Sequence, residues 1–314
     1  MPNPTDPSEP VGSTPTVPAP EAGAVRGRPL TAGLAMLAIA VAVINLLVGG
    51  LLTAVALTGH VLGAWPSPRS LSPGLIGAGM LGTAPALFSV GRARSWQQTR
   101  TLVLPTTVVL VGLFAVTLLN AGRLYVAEGG PIVPVLFSVG WILVLGLLCV
   151  WAVIALAWQF LTPAGPPAPR RLPLPAWSKP ALAVLGSSWL GIGTGLLIRP
   201  AFWSDFVPWR TGRLDAQALG VWALSLGAGV LGALAEDDVE RTRPALLALT
   251  GTAATMTLVL AVRTPDVNWS SGPGLSLIAM VAGLLTAGAS GRLLLGGEER
   301  RTPLTGPTAP GDTA

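Results

Sequence analysis

The chain has 314 residues, of which 51% are hydrophobic and 11% charged, with 39 glycines and 30 prolines. A mean hydropathy of +0.65 excludes a single water-soluble domain of this size, whose surface needs far more charge, so most of the chain has lipid as its solvent. The formal net charge of +5 does not describe a nucleic-acid surface either, because the arginines stand in twos and threes between apolar runs and form no stripe.

Residues 1–29 hold eight prolines and almost no large apolar side chains. Such a segment buries too little to offset its ordering entropy, and a disordered cytoplasmic tail is expected there. The apolar run that follows, Leu30 to about Gly59, is too long for the hydrophobic stretch of a signal peptide. Eight apolar segments then succeed one another, at about 30–58, 74–91, 101–120, 131–159, 180–198, 217–235, 244–262 and 273–295. About 20 residues at roughly 1.5 Å each cross the hydrocarbon layer as a helix. A lone strand there leaves its backbone polar groups unpaired, and the alternation of an outer-membrane barrel is missing. The expected fold is therefore all-α, a polytopic transmembrane bundle of about eight spans. The second segment is glycine-rich with Pro85 at its middle, and it fits a re-entrant loop as well as a span.

Eight spans put thirteen Lys and Arg residues on one side and six on the other. The positive-inside rule then places both termini in the cytoplasm. The Arg-, Ala-, Gly- and Pro-rich composition points to a bacterial chain, hence to the bacterial plasma membrane.

The densest charge run, "EDDVERTR" at 236–243, falls between the sixth and seventh spans. It reads as a solvated hairpin in which Asp237 pairs with Arg241, followed by Pro244 in the first turn of the next helix. The competing reading is a docking site for a cytoplasmic partner, formed by Glu236, Asp237, Asp238, Glu240, Arg241 and Arg243.

A shift of 143 residues lays "GRARSWQQTR", 91–100, on "LAEDDVERTR" and, with one inserted residue, Trp65 on Trp209. Spans one to four then map onto spans five to eight. An even number of spans per half makes the halves parallel, related by an axis along the membrane normal. The organisation expected is a first half at 30–160, a stiff proline-rich cytoplasmic linker at 161–179, a second half at 180–295 and a disordered tail at 296–314.

No Asp, Glu or Lys stands in the middle of a span, which argues against proton-coupled transport through intramembrane carboxylates. One cysteine, Cys149, and one histidine, His60, supply neither a disulfide nor a metal centre. No catalytic residue, metal or cofactor is expected. Asn45 is the most interior amide, while Asn120 and Gln159 stand at span ends. The loop at 199–215 gathers Phe202, Trp203, Phe206 and Trp209 with Arg199 and Arg210. It reads first as an interfacial aromatic belt and second as an outward binding rim. The candidate ligand contacts are thus Asn45, Trp203, Trp209, Arg199 and Arg210. Small residues at packing spacing, such as Gly191 with Gly195 and Ala228 with Gly232, suit close helix contact within the chain or in a homodimer.

Three functions compete. The sequence favours a non-enzymatic scaffold or assembly component, with lipid and another membrane protein as partners. The second is a facilitator or permease whose pathway lies between the two halves, which requires a cavity there. The third, a membrane-embedded enzyme using Asp205, Asp215 and His60, requires those three side chains to meet.

Overall fold

The computed structural model of the protein describes residues 27–165 and 172–301. Most of both expected tails, 1–26 and 302–314, and the middle of the linker lie outside the described residues. Eight helices have the length and apolarity to cross a membrane: α1 (Ala32–Leu57), α2 (Leu71–Val90), α3 (Arg100–Leu119), α4 (Ile132–Leu161), α5 (Ser178–Ile198), α6 (Arg213–Glu236), α7 (Arg243–Val262) and α8 (Gly272–Leu295). The protein is a multi-pass membrane protein built as a helical bundle. Pro244 stands in the first turn of α7, as expected.

One alternative is resolved and two boundaries differ from expectation. The α2 segment is one continuous helix despite Pro85, and its window is the most buried of the eight; its glycines thin the helix so that neighbours can enclose it on every side. Residues 27–29 belong to the fold, since the Trp96 N–H donates to the Arg28 carbonyl and Gln159 Nε2 to the Pro29 carbonyl. At the other end, the final helix continues to Arg301.

Burial sorts the spans into two layers. Between 44 and 72% of the window is buried in α2, α3, α6 and α7, against 22 to 39% in α1, α4, α5 and α8. The first four therefore form the centre and the others flank it. Helix α2 packs on α7 and α6 on α3; α1 covers α2 on one flank and α5 covers α6 on the other. Further neighbours are α3 with α4, α7 with α8, α1 with α4 and α5 with α8, while α2 meets α6 and α7 meets α3 across the centre.

Local details recur 143 or 144 residues apart. The Tyr125 N–H donates to the Ala64 carbonyl, and the Asn268 N–H to that of Pro208. The Trp96 N–H reaches the Arg28 carbonyl, and the Val239 N–H that of Leu172. A 3₁₀ turn at Ala121–Arg123 has a counterpart at Thr264–Asp266. Gly49 of α1 lies against the Gly77 carbonyl of α2, as Gly193 of α5 lies against the Gly220 carbonyl of α6. Across the centre, Trp65 Nε1 donates to Asp215 Oδ1 at 2.8 Å, while Trp209 Nε1 donates to Ser72 Oγ at 3.0 Å.

Candidate functional site

The local sequence that builds the site begins at Asn45. Helix α1 is α-helical on both sides of a single π-helical turn, Asn45–Gly49. One such turn inside an otherwise regular helix is frequently found at a functional site. Gly49 lets the turn lie directly on the α2 backbone, where a Cβ would stand 2.6 Å from Met80 Cβ. Asn45, buried, donates from Nδ2 to Thr83 Oγ1 at 3.1 Å. Its carbonyl oxygen makes no hydrogen bond among the described residues.

Beside this pair lies a cavity of about 330 Å³, walled by α1, α2, α3, α4, α6 and α7. It therefore draws its lining from both parts of the chain. Along α3 the lining runs from Thr101 to Leu113, about 18 Å at the helical rise. Almost all of it is aliphatic or aromatic, and no Asp, Glu, Lys, Arg or His contributes. At one end Phe137 and Trp141 stack at 6.2 Å, and Trp65 closes edge-on to Trp141 at 6.0 Å. Toward the lipid, the wall includes Gly140 and Val144 of α4, both exposed. A Cβ at Gly140 meets nothing within 4 Å.

The corresponding positions in the other part of the chain carry larger residues. Trp189 stands 144 residues after Asn45 and Leu226 stands 143 after Thr83, both buried. Helix α5 is regular there. Two small polar residues in one place answer to two large apolar ones in the other.

The other expected ligand contacts do not gather. Trp209 is buried and held by Ser72, so it is no part of an outward rim. Trp203 packs its ring on Gly195 and lies between Phe202 and Phe206, while Arg199 and Arg210 are exposed. Asn120 Nδ2 donates to Gln217 Oε1 and Gln159 ties the segment before α1 to α4, both structural uses. Among the described residues no hydrogen bond joins Asp205, Asp215 and His60. Asp215 is buried beneath Trp65 and Ser67, Asp205 is exposed, and exposed His60 meets Thr58.

The charge run departs most from expectation. Glu236 and Asp238 are buried, and Arg241 binds both, at 2.9 and 3.2 Å. Arg100 of α3 takes the second Glu236 oxygen. Asp237 adopts a left-handed backbone and pairs with Lys179. Its carboxylate also accepts the Leu174 N–H, so the end of the linker is strapped to this turn. Glu240 and Arg243 belong to the same turn. The solvated hairpin is thus an ionic knot, because α3 and the linker close over it.

Asp215, expected as a loop acid, is a third buried carboxylate and sits in the first turn of α6. Asp215→Ala leaves Trp65 Nε1 and Ser67 Oγ without their shared acceptor. A loss of about 1–3 kcal/mol is expected, read as a lower unfolding midpoint in detergent. Asp215→Asn, which keeps a carbonyl oxygen at Oδ1, should lose less.

No protein-family model matches the chain, and neither the curated proteins nor the solved structures give a match. The site's geometry is the sole guide to its use.

Proposed function

We propose that the protein is a facilitator that takes an apolar molecule into a cavity between two parallel four-span halves. The observation that carries this reading is the cavity of about 330 Å³ beside Asn45 and Thr83, positions whose counterparts are the larger Trp189 and Leu226. Its volume lies within the range of small-molecule sites, roughly 300–1,000 Å³. A scaffold, the function favoured on composition, needs no such space. Interiors are otherwise close-packed, and a void forfeits dispersion contacts along its whole lining.

The two-halves part of the reading is supported by the recurring hydrogen bonds and by the crossed pair of Trp65 with Asp215 and Trp209 with Ser72. Each half there donates a loop tryptophan to the other half's central helix. An ancestral duplication accounts for that reciprocity, with small polar residues then lining the cavity in one half and larger ones at their counterparts in the other. The positive-inside count places the end bearing Arg100 and Glu236 in the cytoplasm, and reporter fusions in the 91–99 and 236–243 turns should both read as cytoplasmic.

The variant Asn45→Trp copies the larger residue of the second half into the first. Native mass spectrometry of protein extracted in mild detergent should show a retained small-molecule adduct on the wild type and none on N45W. Thr83→Leu, the milder filling, serves if N45W does not fold. Equal adducts on wild type and both variants, or no adduct on any, sink the reading.

A further inference from the structure

We infer, building on the cavity reading, that the molecule admitted is a neutral lipid with an uncharged, hydrogen-bond-accepting head. The inference also sets its route, sideways from the bilayer between α1 and α4.

Charge is decided by the lining. An ionic head brought among these walls finds no opposite charge among the described residues, and an unpaired charge in such surroundings is costly enough to keep it in the headgroup layer. A wholly apolar molecule, on the other hand, leaves a polar deficit unanswered. Three buried donors carried by lining residues have no partner: the indole N–H of Trp222 and the hydroxyls of Thr101 and Thr252. An indole nitrogen can only donate. The six-membered ring of Trp222 lies on Gly79, at 3.0 Å from where a Cβ would be, which fixes the ring and leaves its N–H in want of an acceptor. A carbonyl or hydroxyl oxygen on the ligand supplies it. The Asn45 carbonyl oxygen, also unengaged, can take a hydroxyl proton from the same head.

The route follows from how α1 meets α4. Their contact is made chiefly by Ala32–Ile44, the first part of α1. At the π turn the cavity wall passes from Asn45 and Val48 on α1 to Gly140 and Val144 on α4, where the lining meets the exposed face. The bare backbone at Gly140 is the threshold. An elongated space of about 18 Å with a lipid-side mouth suits an acyl or isoprenoid chain that never has to cross water.

Liposomes holding the full chain can be loaded with a diazirine-tagged diacylglycerol, or with a diazirine-tagged fatty acid of the same chain length. After irradiation the labelled peptides are mapped. The diacylglycerol should label the Asn45–Val48 and Trp222–Gly229 stretches at least fivefold more than the ionised fatty acid, with the exposed face of α8 labelled equally by both. Trp222→Phe, which removes only the donor, should cut interior labelling by about fivefold to tenfold, the worth of one hydrogen bond. Gly140→Leu should cut it as much without changing the α8 signal. Equal interior labelling by the two probes overturns the neutral head, and an unchanged signal in W222F overturns its recognition. An unchanged signal in G140L overturns the route. Absence of interior labelling by either probe overturns the inference as a whole. In none of these cases does the cavity reading itself fall, since it is decided by the retained adduct and its loss in N45W and T83L.

Discussion

Arg241→Ala should lower the stability of the detergent-extracted protein by about 3–5 kcal/mol, one of the two largest losses expected of any single substitution. The side chains of Glu236 and Asp238 are each 1% exposed, and that of Arg241 between them is 13% exposed. Removing it takes one ion-pair partner from each of two carboxylates inside the protein, and breaking a buried pair costs far more than the pair contributed when whole. Arg100 cannot stand in for it. Its side chain is 43% exposed and reaches only Glu236, so solvent screens what it gives and Arg100→Ala should cost no more than about 1 kcal/mol. Lys179→Ala, 39% exposed on Asp237, belongs with Arg100. Urea or thermal unfolding followed by tryptophan fluorescence separates the three; a loss for R241A no greater than that for R100A would falsify the buried knot.

That knot marks the limit of what residue order alone conveys. Charge density placed "EDDVERTR" at a turn because hydrophobic spans flank it on both sides, and this is a statement about sequence neighbours. Whether a turn is wet depends on what covers it, and the cover here comes from Arg100 and from Leu172 to Lys179, more than fifty residues away. The eight spans were legible for the opposite reason. Twenty apolar residues in a row are a local property, and hydrocarbon allows them one conformation. The repeat was legible only in outline: a handful of identities at 143 residues is weak, whereas paired hydrogen bonds such as Tyr125 with Ala64 and Asn268 with Pro208 preserve backbone geometry that side-chain identity need not follow.

The site was half legible. Asn45 stood out as an interior amide, and the structure sets it on the cavity wall. Trp222, Thr83 and Thr252 did not stand out, since a tryptophan or threonine in a span is ordinary and only the absence of a neighbour's acceptor distinguishes Trp222 and Thr252. A usable signal existed at Asn45: under the 143-residue shift with its one insertion it faces Trp189, a small polar residue against a large aromatic one at a helix position that should be equivalent. Trp209 misled because tryptophans near span ends usually belong to the interface, and here one is drawn inward by a hydroxyl on α2.

The second large effect lies at the closest approach of the two central helices. Gly82 of α2 and Gly251 of α7 meet backbone to backbone: a Cβ on Gly251 would strike the Gly82 carbonyl, and a Cβ on Gly82 would strike the Gly251–Thr252 peptide. Nothing at this contact is the free end of a side chain, so neither helix can make room without moving as a whole. Thr255 of α7, one turn along, donates to the Ala78 carbonyl of α2 at 2.7 Å and would be pulled from it by that movement. Gly251→Ala should therefore cost about 3 kcal/mol or more, at the upper end for overpacking, although alanine is the better helix former by about 1 kcal/mol. The intrinsic preference and the packing effect have opposite signs, which makes the comparison sharp. Gly191, which the small-residue spacing singled out on α5, has open space where its Cβ would go, so Gly191→Ala should leave stability unchanged or slightly raised. If the two substitutions prove equally mild, α2 and α7 are not in backbone contact and the central layer is arranged differently; if G251A alone fails, close approach at that one level is what joins the two halves.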